Sequence, residues 1–114
     1  MVDDPGGLDE SGPRLNSADF TRLFPFYLEI EANGIIRKAG PALMCSCPGV
    51  QPGRVFTEVI APLRPEEPLS VAKLRNSPEV LWLIQDIQTG LRLRGQWLAG
   101  VEGRVIFVGS PWLS

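Results

Sequence analysis

Histidine is absent from all 114 residues. That absence removes Ser-His and Cys-His nucleophilic pairs and histidine ligation of haem or zinc. It also removes a phosphoacceptor histidine within this segment. Cysteine is scarce: Cys45 and Cys47, in the run CSC, are the only two. Residues two apart rarely reach disulfide geometry, so reduced thiols are expected. Two thiols do not complete a tetrahedral zinc site, and no metal site is expected. No apolar run is long enough to span a bilayer, and no apolar signal segment follows Met1. A cytoplasmic protein that does not engage membranes is expected. Net charge is small as well, at −2. A dedicated nucleic-acid binder shows a basic footprint that this chain lacks, and no polybasic membrane patch is present.

What is present is enough apolar material for one modest core, 44% of the residues. The charge is unevenly placed. Residues 1–19 hold five acids against Arg14 alone, a net of −4, whereas residues 20–114 hold eight acids and ten bases, a net of +2. Pro5, Gly6, Gly7, Gly12 and Pro13 punctuate the acidic start. Residues 1–16 therefore read as a mobile lead-in and residues 17–114 as the folded domain.

Ser17 is a plausible helix cap, with Asp19 in the first turn and Phe20, Leu23 and Phe24 on one face before Pro25 stops the helix. Phe26, Leu28 and Ile30 then alternate with Tyr27, Glu29 and Glu31. Asn33-Gly34 turns the chain into a return strand over Ile35 to Ala39. Between residues 40 and 68, prolines at 41, 48, 52, 62, 65 and 68 forbid long helices and central strands. Short helical turns fit at Pro41 to Met44, at Val55 to Ile60, and at Pro68 to Asn76 with Ser70 as cap. Three strands close the chain. Glu79 to Ile87 and Gly103 to Gly109 are apolar on both faces, and Thr89 to Ala99 alternates. Short turns between them imply antiparallel pairing. The expected architecture is α+β: a five-stranded antiparallel sheet with short helices on one face, preceded by an amphipathic helix.

Five motifs, FPF at 24–26, PG at 52–53, LRP at 63–65, LRLRGQ at 91–96 and FVGSPW at 107–112, together resemble the haem–NO-binding-associated domain. This is the PAS-like domain of soluble guanylyl cyclases and related bacterial signal transduction histidine kinases. The resemblance covers roughly residues 20–114 and departs at Tyr27, where members often carry His, and at Pro41, where they often carry Asn. It implies a PAS-like fold, a dimer, and a non-catalytic place in nitric oxide signalling. The expected partners are a second copy of the chain, a haem NO/O2-binding sensor domain in the same chain or another, and a downstream coiled coil with its kinase or cyclase domain. The chain itself would hold no cofactor, the haem belonging to the sensor. Because the family continues into a helical linker after GSPW, the 114 residues read as a fragment of a longer signalling protein.

The strands that are apolar on both faces carry the dimer candidates. One face meets the helices, and the other needs cover, since clustered exposed apolar side chains mark interfaces. The candidates are Leu81, Leu83, Ile106, Val108 and Trp112, with Phe20, Leu23 and Phe24 of the leading helix. That helix covering its own sheet is the competing reading. Arg92 and Arg94 point to the side opposite Leu91, Leu93, Gly95 and Trp97. They are candidates for a partner surface. The competing and favoured reading is a wet strand face with pairing to Asp86 or a glutamate, since no glycine-rich loop leads into a helix as a phosphate site requires. An alternative function is a PAS-like receptor with its own small ligand between sheet and helices, near Trp82, Trp97, Phe56 and Met44; core filling competes with it. Cys45 and Cys47 read as inert loop thiols, because Lys38 and Arg54 are the nearest cations in sequence and neither is adjacent. Glu29, Glu31, Glu66 and Glu67 read as solvated charges, leaving no acid–base constellation.

Overall fold

The computed structural model describes residues 26–112. The leading helix expected before Pro25, with Phe20, Leu23 and Phe24, and the acidic lead-in lie outside them. The described chain runs β1 (Tyr27–Ile30), β2 (Ile36–Ala39), α1 (Pro41–Ser46), α2 (Phe56–Val59), β3 (Ile60–Arg64), α3 (Val71–Arg75), β4 (Trp82–Asp86), β5 (Arg92–Ala99), a 3-10 turn (Val101–Gly103) and β6 (Val105–Pro111). It is α+β, as the sequence pattern requires.

The sheet has six strands rather than five, in the order β2-β1-β6-β5-β4-β3, every neighbouring pair antiparallel. The added strand, β3, lies inside the proline-rich stretch. Proline forbids a central strand because it removes a ladder donor, but it is tolerated at an edge. There Pro62 sits opposite Ile84, and the register slips between Pro62 and Arg64.

The first hairpin closes through a three-residue loop. Glu31 N–H donates to Ile35 O at 2.9 Å, and Gly34 N–H donates to Glu31 O at 2.8 Å. Gly34 has φ +89°, the left-handed position that such a loop needs and glycine fills without strain. Asn33 Oδ1 accepts from Ile35 N–H at 3.0 Å. The helices are only four to six residues long because the prolines leave no room for more. The sequence-predicted cap of α3 is in place, with Ser70 Oγ accepting from Lys73 N–H at 3.2 Å.

One face of the sheet makes the core. Leu28 and Ile30 of β1, Trp82 and Ile84 of β4, Leu93 and Trp97 of β5, and Val105 and Phe107 of β6 are all buried. Each helix adds to the same cluster: Leu43 from α1, Phe56 and Val59 from α2, Leu74 from α3. Phe56 meets Trp97 edge-on at 6.1 Å between ring centroids, and Trp97 meets Phe107 at 5.0 Å. Neither buried indole N–H of Trp82 or Trp97 has an acceptor, so these rings act as bulk.

The glycines of the LRLRGQ and FVGSPW stretches face one another, Gly95 opposite Gly109. A Cβ on Gly95 would lie 2.2 Å from Val108 O and 2.8 Å from Phe107 Cζ; one on Gly109 would lie 2.7 Å from the same ring. The Phe107 ring covers the pair and supplies the packing that glycine lacks.

Candidate functional site

Two regions stand out among the described residues: the outer face of the sheet, and a pocket where β4 ends beside α2.

On the outer face the register sets rows across the strands. Leu83, Arg94 and Ser110 form one row; Gln96, Val108 and Tyr27 a second; Leu98, Ile106 and Glu29 a third. The sequence-predicted Leu83, Ile106 and Val108 therefore share a face and are half-buried. Leu81, which precedes β4 on the same side, is 54% exposed. Leu98, 40% exposed, belongs with them and was missed. The outward parity of Arg92, Arg94 and Gln96 was the signal for it.

Among the described residues the contact of Arg94 is aromatic rather than ionic. Its guanidinium carbon lies 4.4 Å from the centroid of the Trp112 ring, a cation–π contact that joins the two motifs diagonally across β5 and β6. Among the described residues no carboxylate pairs with Arg92 or Arg94. The expected partner Asp86 is on the other face: it shares parity with Trp82 and Ile84 and is 2% exposed. Glu29 is likewise not a freely solvated charge. Arg37 and Arg104 each approach its carboxylate to 3.7 Å, and Arg104 also pairs with Glu102 at 3.0 Å. The side chain of Glu66 is exposed, and Glu67 pairs with Lys73.

A device that the sequence did not reveal holds α3 to the β5–β6 hairpin. Arg75 Nη1 donates to Gly100 O at 2.9 Å and to Arg104 O. The hairpin turn beneath it places Glu102 at φ +55° and Gly103 at φ +77°.

The second region is built on Asp86. Its Oδ2 accepts from Thr89 N–H at 2.8 Å and from Thr89 Oγ1 at 2.6 Å, which fixes the turn between β4 and β5. Its Oδ1 is sealed from solvent without an N–H or O–H donor, and the Cys47 thiol lies within hydrogen-bonding reach of the carboxylate. Cys47, expected in a loop, is instead wholly buried just after α1, beside Asp86 and Thr89. Burial first, and then the Asp86 charge, push its thiol up to about 11. A thiol so protonated is a poor nucleophile, so the reading of Cys47 as inert stands on burial rather than on a loop position. Cys45 is exposed. A pocket of about 110 Å³ opens beside Asp86, lined also by Gly49, Arg54, Glu58, Val59, Ile87 and Gln88. By contrast, the space between sheet and helices near Trp82, Trp97 and Phe56 is filled by those side chains, with Met44 packed against them.

Among the described residues no group of three or more Cys, Asp or Glu side chains is placed to hold a metal ion. No described helix is long and apolar enough to cross a membrane. No protein-family model and no curated protein matches this chain.

Proposed function

We propose that this chain is a PAS-like signalling and dimerisation module without catalysis of its own. It relays a change from a haem NO-sensor domain to a histidine kinase or guanylyl cyclase output, as its resemblance to the haem–NO-binding-associated domain implies. Two features support the PAS-like reading. The element order is the expected one, two strands, short helices, then three strands, with β3 added at an edge. The glycines of the LRLRGQ and FVGSPW motifs lie opposite each other under one phenylalanine ring.

The observation that carries the dimer is the outer face. Leu81, Leu83, Leu98, Ile106 and Val108 lie there on three neighbouring strands around the Arg94–Trp112 stack. Apolar side chains clustered on one surface mark an interface more often than a free surface. A two-fold contact uses the same patch on both copies, and a small repacking across it transmits a signal when the interface has two arrangements. A coupling of about 1–3 kcal/mol is sufficient.

Sedimentation velocity of the purified chain at micromolar concentration is the test. A dimer supports the reading, and a strict monomer over that range overturns it. The alternative, a small ligand held between sheet and helices, requires room among Trp82, Trp97 and Phe56, which pack in the core cluster.

A further inference from the structure

We propose that the acidic leading segment of this chain, residues 1–19, docks on a cluster of three arginines, Arg64, Arg92 and Arg94, at one end of its own outer sheet face. This goes beyond the dimer reading and does not depend on it. The strand register makes the cluster. Arg64, Leu83, Arg94 and Ser110 form one row across four strands, and Gln85 and Arg92 lie in the next. Residues opposite each other in a ladder share a face. All three arginine side chains therefore project from the outer side, and all three residues are exposed. Among the described residues none of the three has an ion pair, whereas Glu29, at the other end of the face, is flanked by Arg37 and Arg104. Arg94 stacks on Trp112, which holds the guanidinium in place and leaves its N–H edge free for a carboxylate.

Charge, direction and reach select the occupant. Residues 1–19 carry Asp3, Asp4, Asp9, Glu10 and Asp19 against Arg14, a net of −4. β1 starts at Tyr27 opposite Val108, and β6 runs on from there to Ser110, the partner of Arg94. The chain therefore enters the sheet from the end that carries the arginines. Arg94 and Arg64 lie two and four strands from β1, about 10 and 19 Å at the usual strand spacing. Asp19 precedes Tyr27 by eight residues, a reach of up to about 26 Å, and the other four acids have longer tethers. Exposed ion pairs are individually weak, so a free acidic peptide would be held poorly. A tethered one acts at an effective concentration on the order of millimolar, and several weak pairs then suffice. The Val108 and Leu98 rows lie beyond the cluster, so docking there leaves the dimer contact open.

The test is paramagnetic relaxation enhancement on the whole chain, with a nitroxide on Ser11→Cys in a Cys45→Ser background; Cys47 is buried and stays unlabelled. The proposal expects broadening of the Arg64, Arg92 and Arg94 amides that is lost when Asp3→Asn, Asp4→Asn, Asp9→Asn and Glu10→Gln are made together. Salt at about 1 M, where screening acts within ~3 Å, should remove it as well. Equal broadening in the acidic and neutralised chains overturns the proposal. The double variant Arg92→Gln with Arg94→Gln alters only exposed side chains and should also erase the broadening; retained broadening overturns the proposal. Mixing nitroxide-bearing chain with isotope-labelled chain that lacks the nitroxide separates docking within a chain from docking on a second copy. The proposal expects no broadening in that mixture, and broadening there as strong as within one chain overturns it.

Discussion

The two faces of this sheet are made by alternate residues of the same strands, yet they are held by different physics. On the inner face Leu93, Gly95 and Trp97 of β5 meet the helices in a closed apolar core. On the outer face Arg94, Gln96 and Leu98 of the same strand meet an indole, water and an isoleucine row. Burial of large side chains stabilises by kilocalories each, whereas exposed pairs contribute little. Inner substitutions should therefore change folding, and outer ones should change what the domain associates with.

The comparison is broken most severely at its hinge, the Gly95–Gly109 pair. Gly95→Ala places a methyl against Val108 O and the Phe107 ring. We expect a loss of about 3 kcal/mol or more, read as a fall in urea midpoint or failure to fold. Trp97→Ala should cost a similar amount, about 3–5 kcal/mol, through the cavity it leaves beside Phe56 and Phe107.

Cys47 sharpens the same contrast through pH. Its thiol is raised from 9.0 to about 11 in the folded chain, so between those values the folded state keeps a proton that the unfolded state releases. Stability is then full below pH 9 and declines as pH rises to 11, by about 2–3 kcal/mol at 1.36 kcal/mol per pKa unit. Urea unfolding of Cys47→Ala across the same range should lack that increment of alkaline loss. Equal pH slopes in both proteins would contradict the account.

Arg75 follows. Arg75→Met keeps the aliphatic stem and removes both bonds to the hairpin carbonyls. The expected loss is about 1.5–3 kcal/mol, with hydrogen exchange accelerated most at Gly100 and Arg104. The smallest effect belongs to the outer face. A double-mutant cycle of Arg94→Ala and Trp112→Ala should return a coupling of about 0.5–1 kcal/mol, and a coupling near zero would mean that the stack contributes nothing.

What the sequence made legible follows the strength of its periodic signals. The Asn33-Gly34 turn, the Ser70 cap and the alternation of LRLRGQW each combine local chemistry with the period of one element, and each appears where expected. The edge strand β3 was hidden because Pro62 argues against strands in general, although its real constraint is only that the strand lie outermost. Asp86 was misplaced because a charge in a strand invites an outward reading. Its parity with Trp82 and Ile84 already put it inside, and only a strict count of two would have overridden its polarity. Arg75, bonded to carbonyls 25 and 29 residues away, and Glu29, paired with Arg104, depend on contacts that no local pattern encodes. The pocket is assembled from the turn after α1, from α2, and from the end of β4, and was invisible for the same reason.

The division of labour between the faces meets its most direct test in Val108→Asp, which puts a charge at the centre of the outer face and leaves the neighbouring Phe107 in the core. Sedimentation of this variant beside the unaltered chain, with a thermal melt of each, reads association and folding together. The account predicts a dimer for the unaltered chain and a folded monomer for Val108→Asp, with a melting temperature within a few degrees of the unaltered chain's at equal concentration once dimer stabilisation is allowed for. A variant that stays dimeric, or one that unfolds outright, would contradict it.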